Sequence, residues 1–254
     1  MRALAGAGIV VTRPAGRGQS LCKAIAAEGG TALSLPVLAI ESTSMPLDDF
    51  PLDADWYVFT STAAVEHAPS LNLPARARFA AIGRTTADAL GEALGRDCLI
   101  IVPEIGEETS EGLLASPDFD PAAEQKVCIV KGEGGRTALA DAVFERGAKA
   151  VSAAVYRRRP ATPDARPMLA ALAAGRLHAV VVTSGESLDA LLALLGKEAD
   201  RLLAEVQLVA PSARVIKLAE QAGAAKAPIL ADGTADRAIM TALTRWWSGQ
   251  KKQQ

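Results

Sequence analysis

Two stretches of the chain, Ile9-Val10-Val11-Thr12-Arg13 and Val127-Cys128-Ile129-Val130-Lys131, share one pattern at an offset of 118 residues. Each is a short β-branched run that ends in a basic side chain and leads into an Ala/Leu-rich stretch. A second pair, from Trp56 to Ser61 and from Ala179 to Ser184, lies 123 residues apart. If the first pair is called A and A′ and the second pair B and B′, the chain has the order A-B-A′-B′, which indicates a duplicated unit. The alternative is chance similarity among alanine-rich strand-helix-strand segments.

Short β-branched runs alternate with helical stretches along the whole chain, which is typical of parallel sheets covered by helices. We predict strands near residues 8–12, 31–35, 55–60, 78–82, 98–102, 126–131, 149–155, 177–183, 205–210 and 227–230. One A unit and one B unit together supply five strands, the inventory of a flavodoxin-like sheet of order 2-1-3-4-5. The expected fold is therefore α/β, with two flavodoxin-like parallel-sheet domains.

The repeats can be paired in two ways, as A with B and A′ with B′, or as B with A′ inside a split A and B′. We favour the split arrangement, with a discontinuous first domain at 1–36 and 160–254 and an inserted domain at 38–157. The matched extended segments at about 36–42 and 153–160 then form a two-stranded connector. A working surface is expected in the cleft between the domains.

The composition excludes several classes of protein. Half of the 254 residues are apolar, which predicts a buried core, and no apolar run approaches the roughly 20 residues of a membrane span. The 27 basic and 29 acidic residues nearly balance, so we expect no nucleic-acid partner. The first residues lack the regions of a signal peptide, and we expect a cytoplasmic monomer. Three single cysteines and two isolated histidines predict no metal site.

The loops after the first strand of each repeat are the expected ligand-binding positions, since strand order reverses there. These loops contain the residues 12–18, 60–62, 131–136 and 183–186, are rich in hydroxyl groups or glycine, and open helices. Backbone N–H groups and the positive helix end favour anions at such places. Thr-Ser at a helix start is also a plain N-cap, so each pair has a structural alternative.

The chain resembles the uroporphyrinogen-III synthase family over nearly its whole length. The resemblance rests on the order and spacing of Val11-Thr12-Arg13-Pro14, Phe59-Thr60-Ser61, Ala81-Ile82-Gly83-Arg84-Thr85-Thr86-Ala87, Lys131-Gly132-Glu133-Gly134-Gly135-Arg136, Val155-Tyr156-Arg157 and Val182-Thr183-Ser184. The sequence departs from the family at Ala210-Pro211-Ser212-Ala213 and at Ala63, where many relatives carry hydroxyl or basic side chains.

The resemblance implies two α/β domains, the first split around the second, and no cofactor. It also implies the reaction, in which the linear tetrapyrrole hydroxymethylbilane loses its terminal hydroxyl as water and closes with ring D inverted. This lyase belongs to the porphyrin, tetrapyrrole and haem biosynthesis route. Because the substrate carries a carboxylate on every side chain, loops rich in N–H donors, hydroxyls and basic groups suit it.

The same resemblance assigns site residues. Tyr156 matches the family's candidate for the catalytic acid. The predicted substrate-binding residues are Thr12, Arg13, Thr60, Ser61, Thr62, Thr86, Lys131, Arg136, Thr183, Ser184 and Ser212, of which Thr12, Arg13, Thr62, Lys131 and Arg136 follow from charge and loop position.

A non-catalytic two-domain protein that binds or senses a small anion is the alternative, because it would share duplicated α/β halves and a hinge. The adjacent Arg157, Arg158 and Arg159 are interpreted as a solvated part of the connector.

Overall fold

The computed structural model describes residues 2–95, 97–104, 108–134 and 137–250. Its strands are β1 (Gly8–Val11), β2 (Thr31–Ser34), β3 (Leu38–Ser42), β4 (Trp56–Phe59), β5 (Arg78–Ala81), β6 (Ile100–Ile101), β7 (Lys126–Gly132), β8 (Lys149–Pro160), β9 (Ala179–Val181), β10 (Gln207–Ala210) and β11 (Ile229–Leu230). Its α-helices are α1 (Gln19–Ala27), α2 (Thr62–Glu66), α3 (Arg84–Leu94), α4 (Ser110–Ala115), α5 (Ala138–Glu145), α6 (Arg166–Ala173), α7 (Gly185–Leu195), α8 (Ala199–Glu205), α9 (Ala213–Gln221) and α10 (Asp236–Gln250).

The chain divides into two compact units, one formed by Met1–Ala39 with Arg159–Gln254 and the other by Ile40–Arg158. The first unit contains a five-stranded sheet of order β11-β10-β9-β1-β2. The second contains a six-stranded sheet of order β3-β8-β7-β4-β5-β6. The pairs β1 with β2 and β9, and β7 with β4 and β8, are all parallel. The prediction of parallel sheets in an α/β fold is confirmed.

Both sheets are buried on their two faces, as parallel sheets require. In β4, Trp56 and Val58 face one apolar cluster of the second unit, while Tyr57 and Phe59 face the other. β1 of the first unit alternates in the same way, with Val10 on the opposite face from its neighbours. Such strands read in sequence as continuous apolar runs, which is why their positions could be predicted.

One strand lies outside the ten predicted for the two sheets. Residues 38–42, expected as an extended connector segment, form β3 at the edge of the second sheet. The Thr43 N–H donates to the Val155 carbonyl at 3.1 Å, and the Ala161 N–H donates to the Val37 carbonyl at 2.8 Å. Residues later in the first segment thus pair with residues earlier in the second, so the two segments run antiparallel. β8 is correspondingly long and continues to Pro160 instead of ending at 155.

His178 joins the start of β1 to β9 within the first unit. Its Nδ1 accepts a hydrogen bond of 2.9 Å from the Gly8 N–H, and its ring meets Trp247 edge-on with centroids 4.8 Å apart. Burial first, and the charge of Lys226 second, lower the pKa of His178 from 6.5. The folded chain therefore holds a neutral imidazole at this place.

This histidine predicts a loss of stability in mild acid. Because the folded-state pKa lies below the unfolded value, the unfolded chain binds the additional proton first, and stability falls as pH drops through and below about 6.5. Urea unfolding at a series of pH values from about 8 to about 5 should show this decrease. A His178→Gln variant supplies an amide oxygen to Gly8 and does not titrate, so it should lose less stability over that range. An equal decrease in both proteins would contradict the assignment.

Within the described ranges, no helix is both long enough and apolar enough to cross a membrane.

Candidate active site

The second unit brings the ends of β7 and β4 together where its strand order reverses. From β7 the chain passes through α5 to β8 on one side, and from β4 it passes through α2 to β5 on the other. Crevices at such reversals are where open α/β sheets bind ligands. The loops that begin at Thr60 and Gly132 therefore flank the most favourable ligand position of this sheet.

A β-bulge within β8, opposite the end of β7, sets the direction of Tyr156. Lys131 pairs with Ala154, but the next residue, Gly132, pairs with Tyr156, so Val155 is an additional residue on β8. Without it, Tyr156 would alternate to the opposite face from Val155. Instead both pack into the same apolar cluster, and Tyr156 is only 3% exposed. The bulge thus directs the phenol toward the end of β4, consistent with the frequent occurrence of bulges beside functional sites.

The Tyr156 hydroxyl has two hydrogen-bond partners. The Ser61 hydroxyl donates to the Tyr156 oxygen at 3.1 Å, and the Arg158 Nη2 donates to the same oxygen at 3.1 Å. Ser61 also accepts from the Ala64 N–H at 3.2 Å as the N-cap of α2, which leaves its own proton for Tyr156. With both donors directed at the phenol oxygen, the Tyr156 proton is available to a third group.

Gly132 provides the space in which the Tyr156 ring lies. A Cβ atom at Gly132 would come within 2.7 Å of Cε2 and Cζ of the ring and within 3.1 Å of its hydroxyl oxygen. The two distances of 2.7 Å are below any normal contact, so only glycine permits the observed ring position. The Glu133 N–H, next in the chain, donates to the Tyr156 carbonyl at 2.7 Å and fixes the backbone of the same pair.

A cavity of about 440 Å³ lies over these strand ends, and the described residues that line it all belong to the second unit. Four of the predicted site residues line it, namely Thr60, Ser61, Lys131 and Tyr156. Glu111 and Glu133 line it as well, so the cavity offers charges of both signs beside the phenol. Such a cavity can give a proton from Tyr156 and can bind both anionic and cationic parts of a ligand.

Several predicted hydroxyl groups act as helix caps, the structural alternative stated above. Ser184 accepts from the Ser187 N–H at 3.1 Å in a capping box that begins α7. The Ser187 hydroxyl accepts in turn from the N–H groups of Thr183 and Ser184 at 3.2 and 3.0 Å. Ser212 accepts from the Val215 N–H at 3.4 Å and begins α9. These groups order the loops at the strand ends of the first unit.

Thr12 and Thr60 make similar hydrogen bonds in the two units, although the repeat aligns Thr12 with Val130 and Thr60 with Thr183. The Thr12 hydroxyl donates to the Val181 carbonyl at 2.8 Å, and the Thr60 hydroxyl donates to the Val130 carbonyl at 3.2 Å. Each bond joins neighbouring strands where their loops diverge. Thr12 is completely buried, whereas Thr60 lines the cavity, so only the latter can contact a ligand in this arrangement.

Two predicted anion-binding positions hold carboxylates of the chain itself. Arg13 forms an ion pair with Asp236 at the start of α10 and donates to the Thr234 carbonyl at 2.6 Å. The Glu108 carboxylate accepts from the Arg84 N–H at 3.3 Å, at the N-terminus of α3 that contains Thr86. A substrate carboxylate would compete with these internal anions.

The remaining predicted residues are distributed as follows. Thr62 is the first residue of α2, next to the Ser61 cap, and Thr86 is buried in the first turn of α3. Arg136 lies outside the described residues. Thr12, Arg13, Thr183, Ser184 and Ser212 belong to the first unit, whereas the residues around Tyr156 belong to the second.

Sequence reasoning missed several residues of the cavity, among them Arg158, Thr109 and Ser110. Arg158 is exposed, as the interpretation of a solvated connector expects, but it also lines the cavity and contacts Tyr156. Its position two residues after Tyr156 was a usable signal, since residues i and i+2 of a strand share a face. Thr109 and Ser110 also line the cavity at the start of α4, and a Ser/Thr pair before a helix was the corresponding signal.

Comparison with known proteins places this geometry in a family. Residues 19–238 match the family model described as Uroporphyrinogen-III synthase HemD. A protein of Escherichia coli named uroporphyrinogen-III synthase is 29% identical over 227 residues, which cover 85% of this chain and 91% of that protein. The protein of the same name from Synechococcus elongatus is 29% identical over 198 residues, covering 72% of this chain and 73% of the relative.

Solved structures show the same fold. A mutant uroporphyrinogen III synthase from Thermus thermophilus superimposes with a TM-score of 0.60 at 20% identity, covering 96% of this chain and 99% of the other. The uroporphyrinogen-III synthetase of Helicobacter pylori gives a TM-score of 0.56 at 17% identity, covering 92% and 97%. Since the family model covers most of its length, the chain belongs to the uroporphyrinogen-III synthase family.

Proposed function

We propose that this chain cyclises hydroxymethylbilane, the reaction of its family, to give uroporphyrinogen III with loss of water and inversion of ring D. The observation that carries the proposal is the phenol of Tyr156, which is buried at the strand reversal of the second unit beneath a cavity and has two donors on its oxygen. A purely anion-binding protein has no need of a proton donor held in this way.

In the proposed reaction Tyr156 gives its proton to the terminal hydroxyl of the substrate. The carbon–oxygen bond breaks, its electron pair leaves with the oxygen, and water departs. The electron-poor azafulvene that remains is attacked by the substituted carbon of ring D, and the resulting spiro intermediate fragments and closes again with that ring inverted. Restoration of the pyrrole releases one proton, which returns Tyr156 to its starting state.

The charges around the cavity support this sequence of events. Lys131 offers a cation to the acetate and propionate groups, and the Thr60 hydroxyl would exchange the Val130 carbonyl for one of them. Glu111 and Glu133 place carboxylates where the azafulvene forms, and opposite charge stabilises such a cation. Because the reactive group attacks intramolecularly, holding ring D in a productive geometry is a large part of the catalysis.

The other predicted contacts belong to the same proposal. Arg13, Thr62, Thr86, Arg136, Thr183, Ser184 and Ser212 are proposed to contact substrate carboxylates, directly or through the N–H groups of the helices that they begin. Arg13 would exchange Asp236 for a substrate carboxylate. Thr12 supports the loop instead, because its buried hydroxyl is committed to Val181.

We further propose that the two units are flavodoxin-like domains, the first of them split at about residues 36 and 160. Numbered in chain order, the first unit has the strand order 2-1-3-4-5. The second unit has the same order when the numbering starts from β7, the strand that the repeat aligns with β1, and β3 is added at one edge. A cytoplasmic monomer that uses no cofactor and has no membrane or nucleic-acid partner completes the proposal.

One incubation separates this function from the anion sensor. The purified chain is mixed with hydroxymethylbilane, the product is oxidised, and the porphyrin isomers are separated. Type III porphyrin is expected, whereas spontaneous closure without the enzyme gives type I. Type I alone, at the rate seen with heat-denatured protein, would contradict the synthase and leave binding as the function.

A further inference from the structure

We propose that Arg158 is a positioning residue for the acid, holding the Tyr156 hydroxyl toward the substrate and stabilising the oxygen after its proton has left. This role rests on the proposed function, because it concerns the proton transfer that begins the reaction. It assigns a task to a residue that the sequence pattern places in a solvated connector.

Arg158 makes two contacts with one phenol. Its Nη2 donates to the Tyr156 oxygen at 3.1 Å, and its guanidinium carbon lies 5.5 Å from the centroid of the ring. The second distance is within the range of a cation–π contact. Both contacts are possible because the two residues are separated by one position in β8 and share a face of the strand.

The hydrogen bonds on the phenol determine where its proton points. A phenol oxygen has room for two acceptor contacts and one donated bond. Ser61 and Arg158 fill the acceptor positions, so the Tyr156 proton is directed away from both of them. All three side chains line the cavity, where the leaving hydroxyl would lie in the proposed reaction.

The positive charge matters most once the proton has been transferred. The oxygen then carries the negative charge of a phenolate, so the bond from the guanidinium, which is charged from the start, gains the attraction between two opposite charges. The bond from Arg158 therefore strengthens as the transfer proceeds, which is the requirement for an interaction that raises kcat rather than substrate affinity.

The neighbouring arginine provides a matched comparison. Arg157 lies in the same strand, pairs with the Glu41 carboxylate at 3.4 Å and does not line the cavity. Arg157→Met removes one positive charge and changes the side-chain volume by the same amount as Arg158→Met, but at the adjacent position. A loss that depends only on net charge or on strand stability would appear in both variants.

The test is a double-mutant cycle of Arg158→Met with Tyr156→Phe, read as kcat and KM for type III product, with circular dichroism to verify folding. We expect Arg158→Met to lower kcat about 10-fold with little change in KM, and Arg157→Met to keep the parental kcat within about 2-fold. In the Tyr156→Phe background, Arg158→Met should cost less than about 2-fold, since the group on which it acts is absent. Arg158→Lys, which retains the charge, should fall between the parent and Arg158→Met.

Two results would overturn the role of Arg158 while leaving the proposed function intact. One is the same fold loss in both backgrounds, and the other is a rise in KM at unchanged kcat, which would identify Arg158 as a carboxylate-binding residue. Formation of type I product alone by the unaltered chain would instead overturn the proposed function and the role of Arg158 with it.

Discussion

Replacing Tyr156 by phenylalanine should lower the rate of type III formation on the order of 100-fold, the scale of a lost general acid. The substitution keeps the ring, its place against Gly132 and its apolar contacts, but removes the proton and the acceptor of Ser61 and Arg158. Folding should be little affected, because the hydroxyl lies at the cavity and not in the apolar interior. The measurement is kcat together with the ratio of type III to type I product.

Three control substitutions define what this loss means. Tyr57, one of only two tyrosines, donates its hydroxyl to the Pro51 carbonyl at 2.6 Å, and burial raises the pKa of Tyr57 to about 12. Tyr57→Phe should therefore cost about 1 kcal/mol of stability and leave turnover unchanged. Thr60→Ala and Thr183→Ala should cost less activity than Tyr156→Phe, because each removes one contact to a substrate that has many. An unchanged rate and isomer ratio in Tyr156→Phe would remove Tyr156 from the mechanism.

The fold could be predicted largely because strands buried on both faces leave an unbroken apolar signal. Trp56 to Phe59 and Ile9 to Val11 are examples, each buried at every position, and the 118-residue repeat marked equivalent strands. β3 lacked this signal, since Glu41 and Ser42 are exposed and the strand lies at an edge. It pairs with β8 across more than 100 positions, and the matched repeat segments, not a local apolar pattern, were the signal for that connector.

The site was less accessible to sequence reasoning because its geometry depends on one unpaired residue. Tyr156 was assigned by family resemblance, but the alternation of Val155, Tyr156 and Arg157 gives no indication of the bulge that turns the phenol toward Ser61. Local spacing placed Arg158 on the correct strand face, yet its adjacency to two other arginines favoured a solvated interpretation. The fold, and not the local sequence, determines which group pairs with each basic side chain.

The internal carboxylates illustrate the same limit. Arg13 was selected for its charge at a strand end, but Asp236, which pairs with it, is 223 positions away. Glu108 reaches the N-terminus of α3 from a loop 24 residues later in the chain. Sequence can identify the cations suited to a polyanionic substrate, whereas only the fold shows which of them the chain already uses.

Gly132→Ala should reduce turnover about as strongly as removal of the phenol hydroxyl, although it adds only one methyl group. Gly132 has no left-handed φ, so the backbone accepts alanine, and the whole conflict lies with the Tyr156 ring 2.7 Å from the added carbon. The ring is the movable partner and must swing away, taking its oxygen from Ser61 and Arg158. A displacement of about 1 Å at a reacting group can cost roughly 100-fold in rate. The stability cost should remain within about 1–3 kcal/mol, as for other overpacked sites.

Gly91→Ala provides the matched control, because the methyl group added to α3 would lie 3.7 Å from the Ile100 side chain of β6, an ordinary contact. That variant should keep its kcat and gain up to about 1 kcal/mol from the higher helix propensity of alanine. In Gly132→Ala, kcat and thermal unfolding are measured together, and a large fall in kcat with a modest fall in Tm is expected. In the Tyr156→Phe background, the same change should add little to the loss of activity, since no hydroxyl remains to be misplaced. Parental kcat in Gly132→Ala would show that the cavity tolerates a displaced phenol. The position of the Tyr156 ring beside the bulge in β8 would then not determine the rate.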